Sequence, residues 1–168
     1  GDERGLARRR GLLWLLVPGV VAALYLGTIE VSVNAAIERS DPERAAQLVE
    51  LLPPDPVLAE FVAQSWQRHG LDSGDDTMDH VIEWSERVRD LQDEMSRWWV
   101  RLAVRQYVAG DRQAALSSVR QARALEPNAW SAINVELALL EVLELDEEYD
   151  ALLPLACDLA VPACPTND

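Results

Sequence analysis

The sequence predicts an all-α protein: one N-terminal transmembrane helix followed by an α-solenoid of about three helix pairs. Three observations predict it. Nineteen residues from Gly11 to Ile29 carry no charge, close to the roughly twenty that a bilayer core requires. Beyond them, Pro, Gly and Asp divide the chain into stretches of similar length whose apolar residues recur at helical spacing. Trp99 to Pro127 then sets large and small apolar residues across two helices joined at Gly110. The boundaries that follow are a basic cytoplasmic flank at 1–10, a transmembrane helix at 11–33 and a helical domain at 34–168.

The span draws its insertion energy from Leu12, Leu13, Leu15, Leu16, Val17, Val20, Val21, Leu24, Leu26 and Ile29. At roughly −0.3 to −0.6 kcal/mol each, they contribute about −3 to −6 kcal/mol, from which Pro18 and the glycines subtract some. Arg8, Arg9 and Arg10 precede it, and the positive-inside tendency keeps that flank cytoplasmic. Everything after Glu30 is then placed across the membrane, which in a bacterium is the periplasm. A cleaved signal peptide is the competing reading. It is disfavoured because Tyr25, Leu26, Gly27 and Thr28 stand where a small-x-small cleavage site belongs. A buried core helix is disfavoured because apolar residues surround the segment instead of forming a stripe.

Past the span, Asp41 and Pro42 open a helix by the cap-then-proline rule, and Pro53, Pro54 and Pro56 end it. A second helix is expected over 57–69, with Ala59, Val62, Ala63 and Trp66 at helical spacing and Gly70 just past its end. An acidic loop over 71–75 leads to a helix over about 76–90 bearing Val81, Trp84 and Val88. The Trp99–Pro127 pair follows. A last pair covers about 129–142 and 147–160, with Asp146 as its expected N-cap. Trp66, Trp84, Trp98, Trp99 and Trp130 are expected to bury about 150 to 250 Å² each in the seams between pairs. Trp98, adjacent to Trp99 and about 100° away from it on the helix, goes to a side interface or to solvent.

The specific residues of the central pair are Trp99, Leu102, Ala103, Gln106, Gly110, Ala115, Val119, Ala122 and Pro127. In that order they resemble the tetratricopeptide (TPR) repeat, with Gln106 and Val119 standing in for two aromatics of the pattern and Tyr107 beside the first. Aligned on Gly70, the 57–69 helix places Ala63 and Trp66 where the central pair has Ala103 and Gln106, an earlier and weaker repeat. The resemblance implies a TPR-like scaffold that holds other proteins, with the first helix of each pair lining a concave groove. By that resemblance Glu60, Gln64, Arg97, Tyr107 and Asn134 are groove residues. A weaker resemblance, carried by Ala114-Ala115-Leu116 and Leu125-Glu126-Pro127, is to the C-terminal periplasmic tail of O-antigen ligase and polymerase proteins, and implies a fragment of a polytopic glycan transferase.

Charge and chemistry narrow the function. Residues 1–33 hold four Arg against Asp2, Glu3 and Glu30, a net of +1, so the chain's −14 leaves −15 in residues 34–168. Phosphate backbones and anionic headgroups repel such a domain, so no nucleic-acid partner is expected. A basic partner surface would gain association rate. No phosphate-cradling glycine loop, paired histidine motif or nucleophile elbow is present in the sequence. His69 and His80, the two histidines, are eleven residues apart and support neither a zinc site nor a general-base dyad. Asp72, Gly74, Asp76 and Glu83 resemble a calcium loop only superficially, because Thr77 replaces its turn glycine. No catalytic residue, metal, cofactor or small-molecule substrate is therefore expected. Cys157 and Cys164 flank Pro162, and an oxidising periplasm would join them, adding roughly 2 to 3 kcal/mol.

The expectation is thus a single-pass protein of the bacterial inner membrane whose periplasmic domain binds membrane or periplasmic proteins, as an accessory subunit or an assembly factor.

Overall fold

The structure, a computed structural model, describes residues 3–159, with side chains from residue 20 onward. Eight helices follow one another without strands among the described residues. They form two compact units, one ending at Pro54 and the other beginning at Asp55.

The first unit is a hairpin of α1 (Glu3–Glu38) and α2 (Pro42–Val49). α1 runs uninterrupted for 36 residues, past the expected end of the span at residue 33. Its stretch Val20–Glu38 is long and apolar enough to cross a membrane. Val20, Val21, Leu24, Tyr25 and Val31 are exposed on it, whereas Ile29, Val33 and Ala36 are buried. α2 covers those three, contributing Ala45 and Val49. Asp41 caps α2 as expected, its carboxylate accepting from the Arg44 N–H at 3.0 Å, with Pro42 in the first turn. The one helix left unpaired by the sequence reading is therefore paired with the end of the apolar span.

The second unit stacks three hairpins: α3 (Pro56–Ser73) with α4 (Met78–Leu91), α5 (Ser96–Val108) with α6 (Arg112–Leu125), and α7 (Trp130–Val142) with α8 (Asp146–Asp158). Each helix packs on the next, and α5 also meets α7, the first helices of successive pairs. That is the contact pattern of a helical solenoid, in which each pair completes its core on its neighbours. The pattern residues Leu102, Ala103, Ala115, Val119 and Ala122 are all fully buried. Gln106, in an aromatic's place, is buried too, and its Oε1 accepts from the Ser118 hydroxyl at 2.7 Å. The pair keeps its seam by satisfying a polar group there instead of excluding it.

Three turns close identically. The Asp41, Asp111 and Leu145 N–H groups donate to the carbonyls of Ala36, Gln106 and Leu140 at 2.9 to 3.0 Å. The residue before each donor is left-handed: Ser40 (φ 55°), Gly110 (φ 89°) and Glu144 (φ 57°). This is the Schellman closure of a helix C-terminus, which favours glycine at the left-handed position. The expected cap at Asp146 is instead the first residue of α8, where Asp146, Glu147 and Glu148 face the positive end of the helix dipole.

The α3–α4 turn departs from expectation. α3 does not stop at Gly70; it continues to Ser73 and closes on left-handed Gly74 (φ 78°), so the expected 71–75 loop begins instead at Gly74. Gly70 serves a close approach. A Cβ there would collide with the Thr77 hydroxyl, which reaches back to donate to the Trp66 carbonyl at 2.9 Å.

The tryptophans divide. Trp66, Trp84 and Trp98 are buried and Trp99 is half-buried, but Trp130 is 60% exposed. The core stripe of α7 passes through Ala132, Ile133, Glu136, Leu137 and Leu140; Trp130, the first residue of the helix, sits at its edge, roughly 90° from its centre. Trp98 lies inside, its ring flanked by the Arg97 and Arg101 guanidiniums, each 4.9 Å from the centroid.

Candidate functional site

The first helices α3, α5 and α7 carry two distinct arrangements. The first is polar. Glu60 of α3 is almost fully buried and accepts from three donors on its Oε1 alone: Gln64 Nε2, Arg101 Nη1 and Arg105 Nη2, each at 2.9 Å. Its Oε2 takes a further bond from Arg105 Nη1, which also reaches the Ser85 hydroxyl. Burial pushes the Glu60 carboxyl up, but hydrogen bonds from Arg105 and Gln64 and the charges of Arg105 and Arg101 outweigh it, holding it below the usual carboxylate range. Arg105 is as enclosed as Glu60, whereas Arg101 is half exposed. The network ties the first helix of one pair to the first helix of the next.

The second arrangement is apolar. Val104 and Tyr107 of α5 face Asn134, Val135, Ala138, Leu139 and Val142 of α7 across a cleft of about 200 Å³. Its wall is hydrocarbon except for the Tyr107 hydroxyl and the Asn134 amide. Such a composition suits an apolar side chain oriented by one or two hydrogen bonds.

Of the groove residues expected from the sequence, Tyr107 and Asn134 converge on this cleft. Glu60 and Gln64 belong together in the polar network. Glu60, expected as a groove contact, is buried with its oxygens taken by α5 arginines. Arg97 is exposed beside Met95, Leu125 and Glu126, and its guanidinium has no carboxylate partner among the described residues. Cys157 lies in the last turn of α8, and Cys164, its expected partner, lies outside the described residues. His69 and His80 pack on one ring: His80 stacks on Trp66 at 4.2 Å and His69 meets it edge-on at 6.2 Å. Asp72 is in the last turn of α3 and Glu83 is in α4. Among the described residues no cluster of His, Cys, Asp and Glu could hold a metal ion.

The sequence reading missed Arg101, Arg105, Val104, Val135, Ala138 and Val142. Arg101 and Arg105 stand at i, i+4 on α5, a signal that they share a face, but nothing local reveals a carboxylate 45 residues away. The four apolar residues read as core in a sequence, and only the stacking of α5 on α7 exposes them together. A second buried carboxylate, Glu136, went unread for the same reason; it accepts from Arg123 across the α6–α7 seam.

No protein-family model matches the chain, and no curated protein does. Solved structures do. A crystal structure of MamA superposes with a TM-score of 0.61 at 13% identity, over 80% of this chain and 78% of that one. A second MamA crystal structure gives 0.57 at 14%, over 76% and 63%. The resemblance to ligase and polymerase tails finds no support in these comparisons. At such identity the likeness concerns architecture: the chain has the fold of a TPR-like α-solenoid.

Proposed function

We propose that this chain is a membrane-anchored scaffold that holds partner proteins by contact alone, as an accessory subunit or assembly factor of a membrane complex. α1 anchors it in a bacterial inner membrane and the solenoid stands in the periplasm. The observation that carries the reading is the apolar cleft between α5 and α7, where Tyr107 and Asn134 offer oriented polar groups on hydrocarbon walls. This is how repeat scaffolds grip an extended segment or a helix: apolar area supplies affinity and a few polar groups fix register. The apolar run of α1 and the three preceding arginines support the anchor and its direction. In that compartment Cys157 and Cys164 form a disulfide.

The test is site-specific photocrosslinking in intact cells. A photoreactive residue replacing Tyr107 should capture defined membrane or periplasmic proteins, and the same residue replacing the exposed Ser117 of α6 should not. Identical capture from both positions would remove the groove. A phosphatase reporter fused behind Leu159 should be active; an inactive reporter would reverse the topology.

A further inference from the structure

α1 presents two different sides. Ile29, Val33 and Ala36 fall on one stripe, which α2 covers. Roughly 130° round the helix, at about 100° per residue, Ala23, Gly27, Glu30 and Asn34 form a second stripe, and all four are exposed. Glu30 is the one charge that the sequence carries between Gly11 and Ile37, and among the described residues it makes no ion pair. The Asn34 amide, one turn farther along, has no side-chain hydrogen bond among them either. An ionisable group set in an apolar span is ordinarily matched to a partner, because leaving it alone there is costly.

Gly27 adds geometry. It lies inside the helix, where a Cβ built on it meets no atom within 4 Å, so nothing in the chain's own packing calls for glycine. Glycine weakens a helix relative to alanine, but in a bilayer it lets a second helix approach closely. Depth adds the electrostatics. Glu30 stands nineteen residues beyond Gly11, about 28 Å at 1.5 Å per residue. With Gly11 at the inner boundary of a hydrocarbon core about 30 Å thick, Glu30 is at the outer one. Water is thinned there, and an opposite charge is attracted more strongly than in solution.

Building on the proposed anchoring, on which it rests, we infer that this face of α1 docks a transmembrane helix of another protein, one that carries Arg or Lys at its outer end opposite Glu30 and packs closely along Ala23 and Gly27. Charge selects that occupant over a second copy. Copies anchored the same way would lie parallel on this face, setting Glu30 against Glu30 and bringing together two outer parts of −15 each. The match is also selective, because the positive-inside tendency leaves few Lys and Arg on the outer flank of membrane helices. Asn34 offers its amide to the same flank.

The probe is a synthetic, acceptor-labelled Leu–Ala helix of about twenty residues, with one central Gly and either Arg or Gln at one end. The full chain, donor-labelled at its N-terminus, is reconstituted with it in phosphatidylcholine vesicles, and association is read as energy transfer over a series of peptide-to-lipid ratios. The Arg helix should associate about tenfold more tightly than the Gln helix. Glu30→Gln should erase that preference while leaving thermal unfolding unchanged, and Glu30→Arg should transfer it to a probe bearing Glu. Gly27→Leu should weaken association with both helices. Equal association of the Arg and Gln helices overturns the inference, whatever Gly27→Leu does. So does the absence of association with either, which would leave lipid as the cover of this face. Transfer between donor- and acceptor-labelled copies of the chain that exceeds transfer to the Arg helix, and that Gly27→Leu abolishes, would make the occupant a second copy and overturn it as well. None of these outcomes decides the anchoring, which the phosphatase reporter tests separately.

Discussion

The carboxylate of Glu60 and the guanidinium of Arg105 form two hydrogen bonds of 2.9 Å, both side chains enclosed, across 45 residues of sequence. A buried pair of this kind is weak evidence for stability as such, because desolvation offsets most of its attraction. Breaking it from one side is another matter. Glu60→Gln removes the charge opposite Arg105, leaving a neutral amide oxygen and the Ser85 hydroxyl as its acceptors, and should cost about 3 kcal/mol in denaturant unfolding followed by helical signal. Glu60→Leu combined with Arg105→Met should recover part of that loss. A cost within experimental error for Glu60→Gln would mean that the network is solvated.

The same carboxylate predicts an acid limb. Its folded titration point lies below the ordinary carboxylate value of 4.5, so folding favours the ionised form. The resulting stability is present above about pH 4.5 and disappears as pH falls through the folded value. Unfolding midpoints measured through that range should drop more steeply for the wild type than for Glu60→Gln; parallel curves would refute the assignment.

Gly70→Ala should destabilise, although Gly→Ala inside a helix ordinarily stabilises by about 1 kcal/mol. The added Cβ meets Thr77 Oγ1 and crowds the Asp75 carbonyl, so the hydroxyl must give up the Trp66 carbonyl. A loss of about 1 to 2 kcal/mol is expected from that hydrogen bond and its unpaired remainder. A raised melting temperature would show that the turn yields freely.

Ser40 and Glu144 hold the left-handed position that Gly110 fills in the central pair. Because a Cβ costs roughly 1 kcal/mol or more in that conformation, Ser40→Gly and Glu144→Gly should each stabilise, by about 0.5 to 1 kcal/mol once the freer unfolded chain is counted. Gly110→Ala should do the reverse. Thermal melts of the three variants decide it.

Local signals made the elements legible. Asp41-Pro42 marks its helix start because the carboxylate caps N–H groups of its own first turn, and Asp55-Pro56 works the same way, accepting from Val57 and Leu58. The alternation of Trp99, Leu102, Ala103, Ala115, Val119 and Ala122 announced a hairpin because a single pair fixes all of those positions. Gly70 misled because glycine has two uses, and a sequence does not say whether it ends a helix or admits a neighbour. Trp130 misled because its size argues for burial, whereas it is the first residue of α7 and sits at the edge of the core stripe, where solvent reaches it. The site was half legible. Tyr107 and Asn134 belong to first helices and could be named from the repeat, but Glu60 took its role from arginines two helices away, a pairing that no local spacing encodes.

The closure at Ala36–Asp41 has the same geometry as those at Gln106–Asp111 and Leu140–Leu145, so the end of α1 is built as the first helix of a hairpin. On the proposed anchoring, a bilayer around α1 would rise no higher than the level at which α2 covers Ile29, Val33 and Ala36. Drawing the rod deeper would strip off its own companion and drag Arg39, Asp41 and Arg44 into oil. On that reading the hairpin is a collar that sets how far the protein sinks.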